Sequence, residues 1–299
     1  MSQIKLMNIV SIEDSKYPKL LKGIGKDAPK QLYYKGNREE EMFENCLAVV
    51  GSRQMTSYGR RVVEQIVGEL AAAGITIVSG FMYGVDATAH KAALRVGGRT
   101  IAVMPCGIER IHPEYQQDLY VEILNNNGLV VSEYEGDLAP ALWTYPKRNR
   151  IVAGLSKAAL IVEAGEKSGS LITAEYARKY ERKVFAVPGP ITSENSKGTN
   201  WLIKEGATMV SSAKDILEYY GSSPAFSSRF IPLKREPNAA QKTHSSLEQQ
   251  IIEQLRRESL DVDTISRSCG IPAAKLGTIL SLLQLKGLVQ QEGNKYYVD

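Results

Sequence analysis

Paired cysteines, clustered histidines and long apolar runs are all missing from this chain of 299 residues. The three cysteines, Cys46, Cys106 and Cys269, are far apart, odd in number and form no C-x-x-C. That argues against a disulfide framework and against a zinc site, and it suits a reducing compartment. The three histidines, His90, His112 and His244, show no H-E-x-x-H spacing, so no metal is expected. No stretch approaches the roughly 20 apolar residues that span a bilayer. The first residues, MSQIKLMNIV, lack a signal-peptide core. The expectation is a soluble, cytoplasmic protein without membrane contact. A dominant sign of charge is lacking too: 37 Lys and Arg face 33 Asp and Glu, a formal net charge of +4. Any nucleic-acid site must therefore come from local clustering.

What is present falls into four parts. Residues 1–45 form a polar N-terminal segment in which Gln31 to Gly36 reads as an edge strand. Residues 46–220 alternate short apolar runs with amphipathic, helix-length stretches. The runs are 46–50, 75–79, 100–104, 129–132, 158–163, 184–187 and 208–210. Several are near-continuous in Val, Ile, Leu and Ala, as strands buried on both faces are. This predicts an α/β fold with a doubly wound, mostly parallel sheet, whose ligands gather at the carboxyl ends of the strands. Residues 221–243 hold three prolines, four basic residues and one acid, a linker by composition. Residues 244–299 read as three helices and a β-hairpin around Gly293-Asn294, the outline of a winged helix.

Four stretches carry candidate chemistry, each at the carboxyl end of a predicted parallel strand, so that in a doubly wound sheet they would converge on one rim. In the first, Gly51, Ser52 and Arg53 sit where a strand turns into a helix. A turn glycine, a hydroxyl and a forked cation there suit a phosphate; an ordinary βα turn is the alternative. The second, 79–86 followed by His90, places Asp86 as a helix cap, with an Asp86–His90 catalytic pair as the other possibility. The third runs from Tyr145 through Lys147, Arg148, Asn149 and Arg150. Between Leu138 and Val162 there are four cations and no acid. Read as a loop, its cations would neutralise successive phosphates, while Trp143 and Tyr145 would stack bases. Core aromatics with structurally paired arginines are the alternative. The fourth includes Gly165, Ser168, Gly169 and Ser170 and opens a helix, with Ser170 as a possible cap and Thr173 adding a hydroxyl. It lacks the Walker pattern, so nothing supports ATP hydrolysis. No G-x-S-x-G elbow or metal-ligand set is present, although Glu163 and Glu175 could serve a phosphoribohydrolase.

Taken together and in order, these stretches resemble the DNA-processing protein A (DprA/Smf) family. Gly51-Ser52-Arg53 with Tyr58-Gly59 resembles its GSRxxSxYG, and Ser79 to Asp86 with Ala89-His90 its SGLAxGID..AH. Tyr145 to Ser156 resembles FPxRNRIIAGLS, Ser168 to Thr173 resembles SGSLIT, and Gly198-Thr199-Asn200 opens a GxNxLIxxGA-like stretch. The likeness covers about residues 15–220. It implies an extended Rossmann-like domain that dimerises and binds single-stranded DNA. It further implies protection of incoming DNA in natural transformation and loading of RecA recombinase, with no catalytic residue and no cofactor. Arg53 and the 147–150 segment would grip phosphates, Tyr145 would stack a base, and Gly165 to Ser170 would line the pocket. The sequence departs from the pattern at Met82-Tyr83, which replaces an alanine-containing pair, and at His112 to Gln116, which stands for YPxxN. The N-terminal segment is short for the helical domain of many members. Two rival readings remain: a nucleotide-processing Rossmann enzyme holding a mononucleotide at the same rim, and a duplex-DNA binder working through the winged helix.

Overall fold

The computed structural model describes residues 7–126, 128–221, 246–285, 288–293 and 295–298. They fall into two compact units, within Met1–Leu233 and Lys234–Asp299. The expected linker lies outside the described residues from 222 onward, and so does Asn294 of the expected hairpin turn.

The larger unit is built on one sheet of nine strands. They are β1 (Asn8–Ser11), β2 (Gln31–Gly36), β3 (Cys46–Val50), β4 (Thr76–Ser79), β5 (Thr100–Val103), β6 (Leu129–Ser132), β7 (Ala158–Ile161), β8 (Lys183–Ala186) and β9 (Thr208–Met209). Their spatial order is β1-β2-β6-β5-β4-β3-β7-β8-β9. From β6 to β9 every pairing is parallel; β2 joins β6, and β1 joins β2, antiparallel. The 31–36 strand is thus paired on both sides and is not the edge. β1 takes that place, a strand hidden from sequence reading because Val10 is its one buried residue.

The helices around this sheet are α1 (residues 57–72, with a wider turn at Val63–Val67), α2 (Val85–Arg95), α3 (Gln117–Asn125), α4 (Thr144–Gly154), α5 (Gly169–Lys179), α6 (Lys197–Lys204) and α7 (Ala213–Gly221). Strand β3 shows why both faces need cover. Cys46, Ala48 and Val50 pack with Ile151, Val152 and Ala177 on one side. Leu47 and Val49 pack with Val63, Val85 and Ile216 on the other. Side chains alternate along a strand, so a fully buried strand needs a helix layer on each face.

The chain reverses its winding direction at β3. It proceeds through β4, β5 and β6 on one side, then crosses back to β7, β8 and β9 on the other. Loops leaving β3 and β7 therefore diverge at their carboxyl ends and leave a crevice between them.

The smaller unit comprises α8 (Ser246–Arg257), α9 (Val262–Cys269) and α10 (Ala273–Leu285) with a three-stranded antiparallel sheet. Its core is Ile251, Leu255, Ile265, Leu276, Leu280 and neighbours. The sheet contains a short strand, Leu260–Asp261, that two residues alone do not announce. Lys275 is the one cation along α10.

Candidate functional site

The crevice at the reversal point is a cleft of about 630 Å³. Its floor and walls come from the loops after β3, β4 and β7 and from the first turns of α4 and α5. Gly51, Ser52, Arg53, Tyr145, Arg148, Asn149, Gly165, Ser168, Gly169 and Ser170 all line it. Lys147 and Arg150 do not.

The β3 loop is fixed by its backbone. Ser52 N donates to Glu163 O at 2.7 Å, and Val85 N donates to Ser52 O at 3.2 Å. Gly84, at φ +78, is where this close approach needs glycine: a Cβ would lie 2.3 Å from Ser52 O. Arg53 leaves the loop exposed. Its Cζ is 5.1 Å from the Tyr145 ring centroid and 6.0 Å from that of Tyr83. Among the described residues no carboxylate lies within 4.0 Å of Arg53 or of Lys167, which also lines the cleft. Tyr145 is oriented by a 2.8 Å hydrogen bond shared with His112 Nε2. Burial, then Arg110 and Arg53, keep the His112 pKa below its ordinary value.

The basic run is a helix, not the loop that its composition suggests. Pro146 does not prevent this, because the first turn of a helix has no intrahelical partner for its N–H groups. Residues 145, 148 and 149 then share one face, and 147 and 150 another. Arg148, only 4% exposed, reaches under the cleft, where Nη1 donates to Val103 O and Nε donates to Asn149 Oδ1 at 3.1 Å. Asn149 Nδ2 donates to Gly169 O at 3.2 Å, tying α4 to the start of α5. On the other face Arg150, 8% exposed, donates to Glu133 Oε1 at 2.5 Å. Lys147 Nζ lies 3.5 Å from Glu133 Oε2 and over the Tyr134 and Trp143 rings. Arg150 is thus held in an ion pair with Glu133 and lies outside the cleft lining.

Asp86 is not the cap of α2; Gly84 holds that position. The Asp86 carboxylate and the Arg148 guanidinium instead converge on Gly80, where a Cβ would come 2.3 Å from Asp86 Oδ2 and 2.6 Å from both terminal nitrogens of Arg148. Burial pushes the Asp86 pKa up and the nearby Arg148 opposes this. Nor do Asp86 and His90 form a catalytic pair. His90 Nε2 donates to Gly80 O at 2.6 Å and Nδ1 faces Thr100 Oγ1 at 2.6 Å. Burial lowers its pKa to about 4, so it is neutral at pH 7.

At α5 the cap is Ser168 rather than Ser170: Ser170 N donates to Ser168 Oγ at 3.3 Å. Thr173 Oγ1, also in the cleft, is buried with no hydrogen-bond partner among the described residues. This wall thus offers hydroxyls and helix-terminal N–H groups, with Lys167 beside them. Thr173 is one of the hydroxyls that the sequence marks in the 164–173 stretch, whereas Lys167, in the same stretch, carries no such signal. Tyr83 gave no signal beyond its departure from a resembling pattern.

Glu163 lies outside the cleft lining and is held by Thr56. Thr56 N and Oγ1 donate to its two carboxylate oxygens at 2.9 and 2.5 Å, and Thr56 Oγ1 caps α1 by accepting from Gly59 N at 3.2 Å. Asp86 is the one carboxylate among the residues lining the cleft. Among the described residues no group of three or more His, Cys, Asp or Glu is placed to hold a metal. None of the described helices is long and apolar enough to cross a membrane.

The chain is similar to known proteins in sequence and in fold. Residues 8–221 match the family model of DNA recombination-mediator protein A, and residues 235–295 match the DprA winged helix domain. The chain is 39% identical over 251 residues to Protein Smf of Escherichia coli (strain K12), covering 81% of this chain and 65% of that one. It is 40% identical to Protein Smf of Synechocystis, covering 74% of this chain and 56% of the other. It therefore spans less than two thirds of the length of these two relatives. Among solved structures, DprA from Streptococcus pneumoniae superposes with a TM-score of 0.67 at 40% identity, covering 72% of this chain and 75% of that one. DNA processing protein A from Helicobacter pylori, described with its single-stranded DNA binding mode, gives 0.64 at 32% identity, covering 73% and 97%. The matching family model spans most of the sequence, both units are accounted for, and the chain belongs to the family of DNA recombination-mediator protein A.

Proposed function

We propose that the cleft binds single-stranded DNA and that the protein is a binding protein rather than an enzyme. One observation carries this reading. Arg53, exposed and without a carboxylate partner among the described residues, lies over Tyr145 at the cleft mouth, facing the hydroxyls and helix N-terminus of α5. Phosphates would meet Arg53, Lys167 and the Ser168–Ser170 amides, while a base would stack on Tyr145. Arg148 would act from below as a fixed buried cation, and Asn149 would hold the two walls together. Lys147 stays outside the cleft and would contribute at most a weak, screened attraction. The H. pylori relative's single-stranded DNA binding supports the same ligand class.

The family resemblance supports three further assignments: action as a homodimer, protection of incoming strands in the cytoplasm, and transfer of those strands to RecA recombinase. Faster assembly of RecA filaments on single strands in the presence of this protein would check the last. The duplex reading is disfavoured by α10, where Lys275 is the single cation. The rival enzyme reading needs an acid or base aimed at a nucleotide, and Glu163 is held by Thr56 instead. Competition between a single-stranded oligonucleotide, the matching duplex and a free mononucleotide tests the choice. The single strand should displace both others. Saturable mononucleotide binding that the strand fails to displace would overturn the proposal in favour of the enzyme.

A further inference from the structure

Two aromatic rings, in the loop after β4 and on the turn before α3, stand exposed. Tyr83 is 43% exposed and Tyr115 is 70% exposed. Tyr83 lies in the loop after β4 and lines the cleft, so its ring is continuous with the proposed binding surface. Tyr115 belongs to a single turn, Glu114–Gln116. That turn is tied to the β4 loop because Gln116 Nε2 donates to Phe81 O at 3.0 Å, two residues before Tyr83. Tyr83 and Arg53 are close enough to Tyr115 to act electrostatically on its phenol. Among the described residues neither phenol oxygen has a hydrogen-bond partner. The Arg53 guanidinium lies between the rings of Tyr83 and Tyr145.

Packing does not account for two large, partly apolar side chains, one lining a basic cleft and the other on a turn tied to the same loop. Clustered exposed aromatics mark contact surfaces. The chemistry selects the occupant. A ring beside a fixed cation suits a nucleobase carried on a phosphate chain. Glu114, next to Tyr115, disfavours a phosphate at that point, which leaves the ring as the contact.

We propose that Tyr83 and Tyr115 form a second base-stacking station, which takes nucleobases of the same strand beyond the one stacked on Tyr145. This inference rests on the strand-binding reading of the cleft. It predicts a length-dependent effect. Binding is measured with oligothymidylates of about 4 and about 12 nucleotides, near the two ends of common site sizes. In the Tyr83→Ala, Tyr115→Ala pair, the Kd for the longer strand should rise at least about tenfold, since a stacked base is worth ~1–3 kcal/mol. The shorter strand is compared in Tyr115→Ala alone, because Tyr83 lines the cleft, and there it should bind within about twofold of wild type. The Tyr83→Phe, Tyr115→Phe pair should match wild type, because the ring and not the hydroxyl makes the contact. The station is refuted if the alanine pair holds the longer strand as well as wild type does, or if the phenylalanine pair is as weak as the alanine pair. Arg53→Ala measured in parallel separates the two levels. If Arg53→Ala weakens binding and the tyrosine pair does not, the cleft reading stands and the station fails. If neither weakens binding, both fail.

Discussion

Helix α4 presents two faces that draw on one basic run and do different work. Toward the cleft it turns Tyr145, Arg148 and Asn149, one ring and two side chains that reach the loops of β4 and α5. Away from the cleft it turns Lys147 and Arg150, and both meet Glu133 at the end of β6. Consecutive residues on a helix are about 100° apart, so Arg148 and Arg150 are driven to opposite sides. Four residues that look like one phosphate grip are thus a cleft-lining face and a structural ion pair joined back to back. Cation density alone would overcount the phosphates neutralised; the helical phase corrects it.

The sharpest way to break this comparison is to remove Glu133. Glu133→Ala leaves Arg150, almost wholly buried, without its counter-charge. Breaking a buried pair in this way costs about 3–5 kcal/mol, and urea unfolding should register the loss. Strand affinity of the folded variant should stay within about twofold of wild type. Lost affinity with unchanged stability would mean that the outer face takes part in binding.

Acid probes the other side. His90 lies under Gly80 on the cleft floor, and its pKa falls from the ordinary value of 6.5 to about 4 because it is buried. The unfolded chain binds the proton more readily, so this contribution is full above pH 6.5 and is lost as the pH falls toward 4. The loss amounts to about 3 kcal/mol. In urea unfolding across that range, His90→Asn should flatten the pH dependence that wild type shows. An equal slope in both proteins would contradict the assignment.

Much of the sheet was legible because its central strands are buried on both faces and read as apolar runs. Each of the seven runs from 46 onward contains one of the strands β3 to β9 or overlaps it. The cleft was legible through glycines and hydroxyls placed after strands. Legibility failed where a local signal was weak or had two meanings. Pro146 and the cations of α4 have loop composition, yet the proline sits in the first turn, where it does no harm. Asp86 and Ser170 look like caps, but Gly84 and Ser168 hold the cap positions, a shift of two residues that sequence does not resolve. The partner of Arg150 was out of reach because Glu133 is 17 residues away and meets it only once β6 and α4 pack.

A smaller effect separates the two faces by binding alone. Arg53→Ala should weaken single-strand affinity about 10-fold or more, since a hydrogen bond to a charged group contributes roughly 1.5–3 kcal/mol. Lys147→Ala, which removes a half-exposed cation already near Glu133, should cost under about 1 kcal/mol.

The most direct test is the salt dependence of single-strand binding for wild type, Arg53→Ala and Lys147→Ala. The slope of log K against log salt should flatten by roughly 0.7 in Arg53→Ala, the value for one phosphate fewer neutralised. It should stay unchanged in Lys147→Ala. A slope that flattens in Lys147→Ala and holds in Arg53→Ala would place the strand on the outer face of α4 and contradict the account.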